Sequence, residues 1–134
     1  MALTNEVARA IEEVRATFPE STVTSDEDGS GGAFVTVSEL SIGSRFSESM
    51  SWLGFHITFN YPEAQVYPHF GVPGLTRPDG SEYEAGDGIQ QVEWGPDTNK
   101  AKATQFSRSS TRWDPVVDTA ANKLLRVLEW LRDG

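Results

Sequence analysis

The sequence predicts an α+β fold: an N-terminal helix, an antiparallel β-meander of about four strands, a long loop and a C-terminal helix. Three patterns carry that expectation. Leu3, Val7, Ile11, Val14 and Phe18 recur at helical spacing near the start. Leu53, Phe55, Ile57 and Phe59 alternate with their neighbours in the middle, the period of a sheet covered on one side. Val117, Ala121, Leu124, Leu128 and Leu131 return to helical spacing near the end. The chain has 134 residues, 37% of them hydrophobic, which suits one domain over residues 1–134 and one core formed by packing alone.

Residues 4–18 form the first helix, with Glu6, Arg9, Glu12, Glu13 and Arg15 on its polar side and Pro19 as its stop. Thr22-Val23-Thr24 reads as a short first strand, and the acidic, glycine-rich run from Ser25 to Gly32 as the turn after it. Phe34 to Leu40 gives a second strand, and Trp52 to Phe59 a third. Four prolines between Tyr61 and Pro78 suit an edge strand bounded by fixed turns. Residues 74–100 carry one plausible short strand, Ile89 to Trp94, within a loop whose length marks it as functional or disordered. Asp114 is placed as an N-cap with Pro115 at the first helical position, and the last helix runs to about residue 132.

The absence of cysteine excludes disulfides, thiolate metal sites and thioester chemistry, and two histidines make a structural zinc improbable. A formal charge of −9 repels a phosphate backbone and favours basic protein partners over nucleic acid. Gly80, Gly86 and Gly88 match no phosphate-binding pattern, so no nucleotide or other cofactor is expected. No stretch reaches the roughly 18 apolar residues of a membrane span, and the start lacks a basic region followed by an apolar run. The expected setting is cytoplasmic, away from membranes.

The order of elements resembles the ubiquitin-conjugating fold, and three local patterns add to the likeness. Phe55-His56-Ile57-Thr58-Phe59-Asn60-Tyr61-Pro62, followed by Val66-Tyr67-Pro68, is similar to that family's strand, Tyr-Pro turn and proline-rich edge. Trp113-Asp114-Pro115 is similar to the Trp-Ser-Pro that opens its second helix. Phe106-Ser107-Arg108, with Trp113, Pro115 and Asp118, looks most like divergent prokaryotic members found with bacterial activating enzymes and ubiquitin-like proteins. The resemblance spans nearly the whole chain through short motifs in a fixed order. It implies an activating enzyme and a ubiquitin-like protein as partners, in a pathway of the kind that serves antiphage defence. It also places the activating-enzyme contact on the N-terminal helix, making Arg9 and Arg15 candidates.

The chain departs from the family at its reactive centre. The family's cysteine lies about eight residues before the tryptophan, where this chain has Gln105, which is no nucleophile. Ser107, Ser109, Ser110, Thr104 and Thr111 are nearby hydroxyls, and the resemblance implies an oxyanion-steadying asparagine about eight residues before the nucleophile, the place Asn99 holds relative to Ser107. Ser109 stands where prokaryotic relatives place a histidine. An active hydroxyl needs a neighbouring base, for which His56, His69, Asp97 and Asp114 are the candidates. Arg108 and Arg112 flank the cluster and suit an oxyanion or an acidic partner tail. Three readings follow. The first is a non-catalytic conjugating-enzyme relative that binds its pathway partners. The second is a carrier forming an oxyester on a serine of the 104–111 loop, with Ser107 and Asn99 as its catalytic pair. The third is an acidic immunity or inhibitor protein that covers a basic cleft.

Overall fold

The N-terminal periodicity becomes a helix, α1 (Asn5–Thr17), in a computed structural model that describes residues 2–96, 99–108 and 112–133. The Thr4 hydroxyl caps it by accepting the Val7 N–H at 3.1 Å, and Val7, Ala10, Ile11 and Val14 form its buried stripe. Among the described residues six antiparallel strands follow: β1 (Val23–Glu27), β2 (Ala33–Ser41), β3 (Met50–Ile57), β4 (His69–Gly71), β5 (Ile89–Trp94) and β6 (Ala101–Phe106). They lie in the order β1-β2-β3-β4-β6-β5, and the chain closes with α2 (Ala120–Asp133).

Both helices pack on one face of this sheet. Val35 and Val37 of β2 and Leu53, Phe55 and Ile57 of β3 are wholly buried there, with Leu124, Val127, Leu128 and Leu131 of α2. Close contact between α1 and α2 completes the layer. The C-terminal end of α2 leaves carbonyls without helical partners, and Arg45 donates to two of them, Trp130 O at 2.8 Å and Leu131 O at 3.2 Å. Among the described residues no helix is long and apolar enough to cross a membrane.

Helix, sheet and helix follow the expected order, but several boundaries move. β1 continues through Ser25, Asp26 and Glu27, so the turn narrows to Asp28–Gly32, where Asp28 Oδ1 accepts the N–H groups of Ser30 at 2.7 Å and Gly32 at 3.0 Å. These polar residues sit in a strand because β1 is an edge whose other pattern positions face water. β3 ends at Ile57, and Phe59, expected on the buried face, is 60% exposed.

The proline-rich segment does not form an edge. β4 is three residues long and lies inside the sheet, between β3 and β6. Its prolines flank it, Pro68 before and Pro73 after, and leave its own N–H groups free to pair. The Tyr61–Pro62 and Tyr67–Pro68 peptides are both cis. Within the expected long loop, the short Ile89–Trp94 strand is β5, and residues 101–106, expected as loop, are β6, which together raise the count from about four strands to six among the described residues. At the last helix, Asp114 caps only a turn, its Oδ1 accepting the Val116 N–H at 2.9 Å. α2 begins five residues later with Thr119 as its cap, the hydroxyl accepting the Asn122 N–H at 3.1 Å. Val117 is therefore outside the helix and 62% exposed.

Candidate functional site

The expected reactive centre lies at the end of β6. Ser107 follows that strand directly, and its N–H donates to Gly88 O at 2.7 Å, tying the segment to the turn before β5. Its hydroxyl oxygen accepts the Gln105 side-chain N–H at 2.9 Å. Asn99 lies beyond the other end of the same strand. At about 3.3 Å per strand residue, the six residues of β6 hold the two roughly 20 Å apart. Ser107 and Asn99 therefore do not share a site. Thr104 is fully buried, and its hydroxyl donates to Val72 O at 2.7 Å while accepting Gln91 Nε2 at 2.9 Å, so it clamps strands together. Ser109, Ser110, Thr111 and Asp97 lie outside the described residues.

Neither histidine reaches Ser107 as a base. His56 bonds Asp28, Nε2 to Oδ2 at 2.7 Å, and stacks on Phe34 with centroids 4.2 Å apart on the helix-free face of the sheet. Burial disfavours the charged form of Asp28, but bonds from His56, Ser30 and Gly32 outweigh it and hold its pKa below the ordinary value. His69 points the opposite way. It is wholly buried, neither ring nitrogen has a hydrogen-bond partner among the described residues, and burial, helped by the nearby Lys123 charge, pushes its pKa down to about 3. It is a neutral imidazole at ordinary pH.

Charged groups cluster around α2 instead. Asp118 is buried; the Arg126 guanidinium and the Asp114 N–H bond its carboxylate and lower its pKa. Lys123 is buried too, and desolvation, then the charges of Arg126 and Arg108, bring its pKa down to about 8. Arg108 itself lies over the Trp130 ring, 5.8 Å from its centroid, while Arg112 is exposed. On α1, Arg9 is exposed and Arg15 pairs with Glu12 while reaching Val23 O. The six candidate side chains thus fall at three separate places: the α1 surface, the Ser107 end and the Asn99 end. Among the described residues no group of three or more histidine, aspartate or glutamate side chains is placed to hold a metal ion.

The helix-free face carries a feature the sequence reading missed. Trp94 of β5 stacks on Phe70 of β4, with centroids 4.8 Å apart, and lies parallel to Trp52 of β3 at 6.0 Å, with the Phe34 ring at its edge. β6 separates β5 from β4 and contributes alanines at 101 and 103 beside Trp94 and Val92, so the indole can cross above it. Gly54 gives it a seat: a Cβ at residue 54 would lie 2.5 Å from the indole carbons. A groove of about 1140 Å³ opens beside this cluster, bounded by the Asp28 turn, Phe59, Tyr67 and the end of the β5–β6 hairpin. The signal was available in the glycine at the centre of a strongly alternating strand, a place where another group approaches the backbone closely.

The chain matches no protein-family model, no curated protein sequence and no solved structure.

Proposed function

We propose that this chain is a non-catalytic, ubiquitin-conjugating-like component of a bacterial ubiquitin-like modification pathway, acting by binding an activating enzyme and a ubiquitin-like protein. The pathway comes from the order of elements and short motifs the sequence shares with that family. The absence of catalysis rests on the surroundings of Ser107: its hydroxyl accepts from a glutamine amide, His56 is bonded to Asp28, and the buried His69 ring makes no hydrogen bond to it among the described residues. Neither histidine bonds the Ser107 hydroxyl among the described residues, and a hydroxyl that no base activates is a poor nucleophile. The chain has no thiol to replace it. The same surroundings disfavour the oxyester reading, which also needs Asn99 beside Ser107.

On this reading α1 carries the activating-enzyme contact through Arg9 and Arg15. Calorimetry with a cognate activating enzyme should show binding that falls at least about tenfold in Arg9→Glu/Arg15→Glu, because two attractive charges become repulsive. Binding unchanged by the double substitution would remove α1 from the interface, and no binding by the unaltered chain would overturn the reading.

A further inference from the structure

We infer that β5, at one edge of the sheet, binds an extended segment of a partner protein as an added antiparallel strand. This goes beyond the proposed pathway and does not depend on it. The pairing of β5 with β6 fixes which backbone groups lie on that edge. Ser107 N–H donates to Gly88 O, which makes Gly88 and Ser107 a hydrogen-bonded pair, and such pairs alternate along an antiparallel ladder. Gln90, Val92 and Trp94 therefore bond β6, while the N–H and C=O groups of Ile89, Gln91 and Glu93 point away from it. No described residue bonds these outward groups. The opposite edge is better guarded. On β1 the same alternation turns Val23, Ser25 and Glu27 outward, but Arg15 of α1 occupies Val23 O at 3.3 Å, and Asp26 and Glu27 put two adjacent carboxylates on a short strand. β5 carries Glu93 as its one charge and has no proline or lysine.

An added strand satisfies the outward groups with its own backbone, and the faces of the sheet select its side chains. Residues opposite Val92 and Trp94 lie on the helix-free face, beside half-buried apolar side chains. Residues opposite Gln91 and Glu93 lie on the other face, beside exposed polar ones. The fitting segment therefore alternates apolar and polar residues. An open groove of about 610 Å³, lined by Pro73, Gly74, Gln91, Val92, Glu93 and Lys102, gives the polar set room. A second copy of this chain is the poorer occupant, because it would bring another charge of −9 against the first. A neutral or basic segment of another protein meets no such repulsion.

The test uses the whole chain and a fluorescein-labelled peptide of alternating valine and threonine with a lysine at each end, read by anisotropy. Saturable binding is expected. With valines opposite Val92 and Trp94, the threonine N–H groups point at β5 and the valine N–H groups at solvent. N-methylation of the threonines should therefore weaken binding at least about tenfold, and N-methylation of the valines should leave it within about twofold. Glu93→Pro removes an outward donor without touching the β6 ladder and should weaken binding about fivefold, whereas Glu93→Gln, which changes charge alone, should leave it within about twofold. The methylated peptides use the unaltered chain, so they decide the matter even where circular dichroism shows that Glu93→Pro has not folded. Absence of binding, equal responses to the two methylation patterns, loss on valine methylation alone, or indifference to a folded Glu93→Pro would overturn the proposal. So would a concentration-dependent dimer in sedimentation that Glu93→Pro dissolves, since it would give the edge to a second copy.

Discussion

On the helix-covered face of the sheet, Val35, Val37, Leu53, Phe55 and Ile57 meet α1 and α2 and are wholly buried, whereas on the other face Trp52, Phe70 and Trp94 stack on one another beneath no helix. The first is an aliphatic core filled from above by two elements. The second is a small aromatic layer supplied by the sheet itself, with one strand lending its tryptophan to another. The difference is one of redundancy. Phe55 is supported on all sides by the main core, but Trp94 depends on a single missing side chain at Gly54. The covered face fixes the fold, and the uncovered face offers a preformed aromatic surface to solvent.

Stability measurements can separate the two faces. Phe55→Ala removes a buried ring from the main core and should cost about 3–5 kcal/mol by denaturant midpoint. Gly54→Val intrudes on the indole and should cost toward the upper end of about 1–3 kcal/mol, with a change in tryptophan emission that Phe55→Ala does not match. Equal emission changes in the two variants would erase the distinction.

Acid acts on the covered face through His69. The unfolded chain binds a proton there near pH 6.5, while the folded chain resists it until about 3. Stability is therefore kept above the unfolded value and falls by about 1.4 kcal/mol per pH unit below it, or about 2 kcal/mol between pH 6.5 and 5. Asp28 and Asp118, whose pKa values are lowered from 3.8, lose their contributions only at lower pH. In His69→Leu the decline between pH 6.5 and 5 should flatten, as read from urea titrations. A decline of the same slope in that variant would assign it to other groups.

Much of the covered face was legible in the sequence because periodicity reports burial. The spacing of Val7, Ile11 and Val14, the alternation of Leu53, Phe55 and Ile57, and the stripe from Ala121 to Leu131 all lie where expected. β6 was not legible, since its burial pattern places the polar Thr104 inside, where three hydrogen-bond partners satisfy it. β4 was hidden by prolines that flank it. The uncovered face was harder still, because Trp94 meets Phe70 across β6 and a register between distant strands is absent from local pattern. The Ser107–Asn99 pairing failed for a related reason: spacing along the chain was taken as nearness, and an extended strand turns it into separation.

The most direct measurement of the central claim is intact mass after incubating the chain with a cognate activating enzyme, its ubiquitin-like protein, ATP and magnesium, beside Ser107→Ala. A partner that binds without chemistry predicts an unmodified mass for both chains while the complex is still detected by native mass. A hydroxylamine-sensitive adduct on the unaltered chain that disappears in Ser107→Ala would contradict it and make Ser107 an oxyester carrier.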